Sequence, residues 1–251
     1  GGDLFANVWS VSQNASFTFD LGMTLDRWTA GNMNADNITL VWDLDAGTFT
    51  DRSLVASGVS VYKTINYGSV FSTFATPAVA GAADLKFDIK AMDGTPTLSP
   101  SAGTNRYLST SFANSITATN GQVFGMDDVD TYVIAANADA TNSTHGTAFN
   151  TAGANMFDAG DATNVYFQNG SKDNWNGKTS FTSTGAASGD LNFYFLSNTG
   201  TNTAAAASVT KYAGVWSFNA ATAQLSYATA PVPEAETYAM MLSGLGLVGV
   251  M

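Results

Sequence analysis

Residues 84–92 read DLKFDIKAM. Leu85, Phe87, Ile89 and Ala91 alternate with Asp84, Lys86, Asp88 and Lys90. Successive side chains of a strand point to opposite faces, so this pattern predicts a strand with one apolar and one solvated face, typical of an antiparallel sheet. The same period recurs along the chain. SFTFDLGM (16–23) sets Phe17, Phe19 and Leu21 against Ser16, Thr18 and Asp20. NITLVWDL (37–44) groups Ile38, Leu40, Trp42 and Leu44, and LNFYFLSN (191–198) groups Leu191, Phe193 and Phe195. Near the end, Tyr212, Trp216 and Phe218 share one face, Leu225 and Tyr227 share another, and NAAT (219–222) predicts the turn of a hairpin.

Weaker strand signals lie at 3–11, 59–65, TYVIAANA (131–138) and NVYFQN (164–169). Helical signals are poor. Residues 68–84 suit one short helix interrupted at Pro77, where the ring removes a donor and clashes with the preceding turn. Many short strands separated by Gly, Asn and Asp predict an all-β fold, an antiparallel β-sandwich or jelly-roll-like architecture. Residues 1–230 read as one domain. Within it, 137–190 is poor in large apolar residues and reads as a loop-rich insertion. A strand from residues 1–13 lent to a neighbouring copy is a further arrangement, with the first strand of the chain's own sheet as the simpler one.

The 251 residues carry a net charge of −11, and nine Lys and Arg stand against twenty Asp and Glu. Such a field repels phosphate backbones, which argues against nucleic acid as a partner. The absence of cysteine excludes disulfides, thiolate metal sites and redox motifs. His145 is the sole histidine, in NSTHGTA without a nucleophile elbow, so a Ser-His-Asp triad has little to build on. A hydrolase would rest on aspartates brought together by the fold. No catalytic residue and no cofactor is assigned.

Asp127, Asp128 and Asp130 in GMDDVDTY, and Asp158 and Asp161 in DAGDATN, offer hard oxygen ligands at short spacing. They are the calcium candidates, without the spacing of an EF-hand; solvated acidic turns are the simpler reading. Asp173, Asn174, Trp175 and Asn176 set an indole among amides, which suits a glycan contact: the ring stacks on an apolar sugar face while amides bind hydroxyls. A tryptophan tucked under its own loop is the alternative.

Residues 231–251, PVPEAETYAMMLSGLGLVGVM, break with the rest. Pro231 and Pro233 end the β region. Glu234 and Glu236, the only glutamates, precede a run from Tyr238 to Met251 without charge. Its Met, Leu and Ala predict a short helix, with the glutamates at the positive end of its dipole. Ala235, Ala239, Ser243, Gly246 and Gly249 form a small-residue stripe that suits close packing, and the apolar run is shorter than the ~20 residues of a membrane span.

VPEAETYAMMLSGLGLVG resembles the PEP-CTERM sorting signal of Gram-negative bacteria. Val232, Pro233 and Glu234 match its motif, and Ala235 stands where a second proline is usual. The resemblance implies export by a signal peptide already removed, brief contact of the tail with the membrane and its exosortase, and residence at the cell surface or in the polysaccharide matrix. The expectation is a non-catalytic subunit of an extracellular fibre, sheath or biofilm matrix, self-associating with its C-terminal segment buried in the assembly. Alternatives are a matrix lectin acting through residues such as 171–178 and a secreted Asp-dependent hydrolase.

Overall fold

The computed structural model describes residues 2–54, 57–95, 101–139, 141, 143–144, 150–161, 165–168 and 172–230. In chain order the elements are β1 (Asp3–Ser10), β2 (Ala15–Thr24), α1 (Leu25–Ala30), β3 (Thr39–Asp43), β4 (Thr48–Asp51), β5 (Thr64–Ile65), α2 (Val70–Phe74), α3 (Pro77–Ala80), β6 (Lys86–Asp93) and β7 (Arg106–Ser111). There follow α4 (Asn120–Gly125), α5 (Asp130–Ala138), β8 (Thr151–Ala152), β9 (Ala154–Phe157), β10 (Gly185–Ala186), β11 (Asp190–Ser197), β12 (Ser208–Asn219) and β13 (Gln224–Ala228). Eleven strands form one antiparallel sheet in the order β4-β3-β13-β12-β11-β7-β6-β1-β2-β9, with β10 also paired to β6; β5 and β8 make a small parallel pair.

The sheet curls over on itself into an all-β, sandwich-like body. Strands far apart in the order meet across the core: Trp42 of β3 donates its indole N–H to the Leu21 carbonyl of β2 at 3.1 Å, and the Phe87 ring of β6 lies 6.0 Å from Phe218 of β12. The apolar alternations supply this core. Phe17, Phe19, Leu21, Ile38, Leu40, Trp42, Leu44, Phe87, Ile89, Leu191, Phe193, Trp216, Leu225 and Tyr227 are all buried, and the hairpin 208–228 forms where its alternation places it. A two-residue bulge in β12 opposite Phe193 preserves this phase. It holds Gly214, where an added Cβ would lie 2.3 Å from the Tyr227 ring.

Five sequence expectations change. The second face of β6 is solvated only at its start: Lys86 is part-exposed, but Asp88 and Lys90 are completely buried, and Ser16 and Thr18 on β2 are buried as well. What covers that face comes largely from residues 112–184. Ile116, Val123, Met126, Val129, Trp175 and Phe181 pack with Tyr107, Tyr194 and Leu196 in one cluster, and Tyr132, Phe157, Val165 and Tyr166 pack with Trp9 in another. TYVIAANA lies within helix α5 instead of a strand. It follows directly on a 3-10 turn at Met126–Val129, and its Tyr132 and Ala136, four apart, share the buried face. Of 59–65 only Thr64–Ile65 are in a strand, and Val165–Gln168 are in turns. Residues 68–84 hold two short helices: Thr76 caps the second and Pro77 takes its first position, where its missing N–H costs nothing.

β1 pairs with β2 on one side and β6 on the other, so residues 3–10 complete the chain's own sheet. Among the described residues no helix is long and apolar enough to cross a membrane. The C-terminal helix expected for the tail lies outside the described residues.

Candidate functional site

The most unusual chemistry sits on the covered face of β6. Asp88 and Lys90, two residues apart on one strand, point to the same side, and both are fully shielded from water. Lys90 Nζ donates to Asp88 Oδ2 at 2.6 Å and to the Tyr166 hydroxyl at 2.5 Å, and the hydroxyl donates to the same carboxylate oxygen at 2.6 Å. The other oxygen, Asp88 Oδ1, accepts from Asn7 Nδ2 of β1 at 2.7 Å. Asn7 stands directly opposite Asp88 in the β1–β6 register. Its carbonyl oxygen accepts from Thr18 Oγ1 of β2 at 2.7 Å, and Thr18 shares a 2.5 Å hydrogen bond with the Tyr132 hydroxyl.

Aromatic rings close the roof. Lys90 Nζ lies 4.9 Å from the centre of the Trp175 ring and 5.1 Å from that of Tyr166, distances at which a cation is drawn to the π face. Trp175 is fixed by its indole N–H donating to Ser109 Oγ at 2.9 Å. Burial pulls the Lys90 ammonium below the ordinary lysine range, opposed by Asp88. Burial likewise pushes the Tyr132 hydroxyl up. A site closed this completely offers no entry to a diffusing substrate. Any chemistry it performs acts on its own side chains.

A second charged cluster joins β1 and β2 to the segment before β5. Lys63 Nζ lies 2.7 Å from both Asp3 and Asp20, and the Tyr62 hydroxyl donates to Asp3 at 2.7 Å. Burial pulls the Lys63 ammonium down, but its two carboxylates outweigh that and the net shift is upward. Asp20 is pushed up to about 6, by burial first and the Asp3 charge second, against Lys63. The folded chain thus holds this proton more tightly than the unfolded chain. Its stabilising effect is full below about pH 4 and lost as pH rises through about 6. Urea unfolding from pH 4 to 7 is expected to show the parent losing up to about 3 kcal/mol relative to Asp20→Asn. Parallel pH profiles for the two proteins would refute this.

The residues singled out by sequence are placed as follows. Trp175 is fully buried, so its ring is not offered to a sugar; this corrects the glycan contact expected of it. Its loop also engages its polar neighbours. Asp173 pairs with Lys86 at 3.0 Å and accepts from Thr184 at 2.8 Å, and Asn174 accepts from the Gly177 N–H at 2.9 Å. Trp175 and Asn176 adopt φ of 53° and 56°, the left-handed conformation of a tight turn.

Asp127, Asp128 and Asp130 lie at and just after the 3-10 turn. Asp128 pairs with Lys178 at 2.6 Å, and Asp127 is raised by burial and by Asp130 and Asp128. Asp158 accepts from the Gly160 N–H and its carbonyl from the Asp161 N–H, closing a local turn. Among the described residues no three acidic or histidine side chains converge to hold a metal ion, so the calcium candidates do not assemble into a ligand set. His145, the motif residues Val232, Pro233, Glu234 and Ala235, and the stripe residues Ala239, Ser243, Gly246 and Gly249 lie outside the described residues.

A surface groove of about 680 Å³ runs beside the β12–β13 turn, between Ala82, Leu85, Ala187, Phe218 and Ala221. Its one ionisable lining residue is Asp190, which accepts from Ser217 Oγ. Among the described residues no convergent acid-base pair lines it.

Sequence reasoning missed the Asn7–Asp88–Lys90 cluster because alternation assigned its charges to water. A weak signal existed: the few large aromatics of 137–190, Tyr166 and Trp175 among them, imply a surface for them to cover. No family model matches the chain, and no curated protein or solved structure matches it. The fold therefore defines its class only as an all-β protein built on one large curled antiparallel sheet.

Proposed function

We propose that the chain is a non-catalytic structural subunit of an extracellular bacterial fibre, sheath or biofilm matrix, self-associating through its C-terminal segment. One observation carries this reading: the described chain ends, at Thr229 and Ala230, close to an open sheet edge, and the apolar sequence follows from there. β13, the last strand, is separated from the terminal strand β4 only by β3. After it, Thr229 is tied to Ile38 and Ala35 by three hydrogen bonds, so the tail departs from a fixed point beside that edge. Among the described residues no strand pairs with the outer side of β4, and Thr48, Thr50 and Asp51 are exposed. The opposite edge, β9, is bridged by Ser143 and Thr144.

An open edge and an apolar segment both need a cover, and one neighbouring copy can supply it to both. A contact of that head-to-tail kind continues into a filament unless it closes into a ring. The resemblance of residues 232–249 to a sorting signal supports export to the cell surface of a Gram-negative bacterium, where acidic, amide-rich turns face water, cations and polysaccharide. Negative-stain microscopy of the full chain is expected to show filaments. The chain lacking residues 234–251 is expected to stay a folded monomer. The same filaments from the shortened chain would overturn the reading.

A further inference from the structure

We propose that Lys90 and Asn7 join in an intramolecular amide bond, formed by the chain itself with Asp88 as proton carrier, which links β6 to β1. The inference rests on the closed cluster and does not depend on the assembly reading. A nucleophile, an electrophile and a proton carrier are all present. Lys90 Nζ and the amide nitrogen of Asn7 are held on the two oxygens of one carboxyl group, at 2.6 and 2.7 Å. The Asn7 carbonyl already accepts a hydrogen bond from Thr18 Oγ1, which polarises Cγ and is placed where negative charge develops on attack. Thr18 is in turn held by Tyr132. All five side chains, Asn7, Thr18, Asp88, Lys90 and Tyr132, are buried, so water neither competes as nucleophile nor screens the charges.

The atoms balance without any co-reactant. Asp88 takes a proton from the Lys90 ammonium, which leaves a neutral amine, the nucleophilic form that burial favours at this position. The amine lone pair attacks Cγ of Asn7 and forms the Nζ–Cγ bond, while the carbonyl electrons move to Oδ1. Asp88 passes its proton to Nδ2. The surplus proton on Nζ returns to Asp88, the oxyanion collapses, the Cγ–Nδ2 bond breaks, and ammonia leaves. Asp88 finishes as a neutral acid beside the new amide. Nothing is oxidised or reduced.

The reaction also removes a cost of the fold. A fully buried ammonium–carboxylate pair carries a desolvation penalty that its mutual attraction only partly offsets. The linked product has no charge there at all. Holding the groups on neighbouring registered strands replaces a bimolecular encounter with an intramolecular one.

Mass spectrometry of the purified full chain tests this. The intact mass is expected to fall short of the sequence mass by one ammonia. A tryptic digest is expected to contain residues 1–27 joined to residues 87–106, with Lys90 uncleaved. Asn7→Ala keeps the Asp88–Lys90 pair and is expected at its full sequence mass, with cleavage restored after Lys90. Asp88→Ala is expected to leave the two residues unlinked. A parent chain giving residues 1–27 and 87–90 as separate peptides overturns the proposal, and that measurement requires no variant to fold. An ammonia loss that persists in Asn7→Ala overturns it too, because another amide would then be its source.

Discussion

Measured against the unlinked chain, in which the Asp88–Lys90 pair keeps its charges, Lys90→Met is expected to destabilise the protein by about 3–5 kcal/mol, the range for leaving one member of a buried ion pair without its partner. Methionine fills similar space, so the loss is electrostatic more than volumetric. Asp88 would keep Asn7 Nδ2 and the Tyr166 hydroxyl as donors but would lose, among the described residues, its only cation contact, Lys90 at 2.6 Å. No solvent reaches the carboxylate to compensate. Urea unfolding followed by tryptophan fluorescence would read the change as a lower midpoint. The double variant Asp88→Leu, Lys90→Met is expected to recover part of the loss, since removing both charges avoids the unpaired one. A single variant that unfolds at the midpoint of the unlinked chain would show that this face is hydrated in solution.

Trp216→Ala is expected to cost a similar ~3–5 kcal/mol through a different cause, the cavity left by a large ring in a packed core. Trp216 is fully buried and sits at the centre of an aromatic group. Its ring lies 5.3 Å from Trp28 in a stacked pair, 5.4 Å from Trp42, 5.5 Å from Phe193 and 5.3 Å from Tyr227. These residues come from α1, β3, β11, β12 and β13, so the ring ties one half of the sheet to helix α1. Denaturant unfolding measures the loss, and near-ultraviolet dichroism is expected to lose the signal of the stacked Trp28–Trp216 pair. A loss below about 1 kcal/mol would mean that the neighbours collapse into the space, and the ring would not be the keystone described.

Much of this core was legible in the sequence. Period-two runs such as Ile38, Leu40, Trp42 and Leu44 mark one face of a strand, and burial follows because leaving those side chains in water is costly. The hairpin 208–228 was legible for the same reason, with small and polar residues at its turn. Residues 131–138 were misread because β-branched Val133 and Ile134 favour strands in isolation, while the 3-10 turn before them and the seat of Tyr132 against Trp9, Phe157 and Tyr166 stabilise a helix. The polar neighbours of Trp175 suited either a sugar platform or a ring tucked under its own loop; the structure has the second, with those neighbours closing the loop and the ring roofing Lys90.

By itself the sequence determined the strand periodicity, the apolar face of each strand, the acidic and cysteine-free character, and the sorting-signal resemblance of the tail. These are local properties, set by residue type and by the alternation of a pleated chain. Tertiary structure alone decided that Asp88 and Lys90 on the polar face of β6 are buried as deeply as Phe87 and Ile89 on its apolar face. Alternation says only that two faces differ; whether the second meets water depends on what distant residues lay over it. Here the described residues between 112 and 184 fold back across it and bring Tyr166 and Trp175 onto Asp88 and Lys90, and β1 carries Asn7 into register. Three side chains scattered over two strands and spaced 81 residues apart at their widest hydrogen bond thus become one closed reaction chamber.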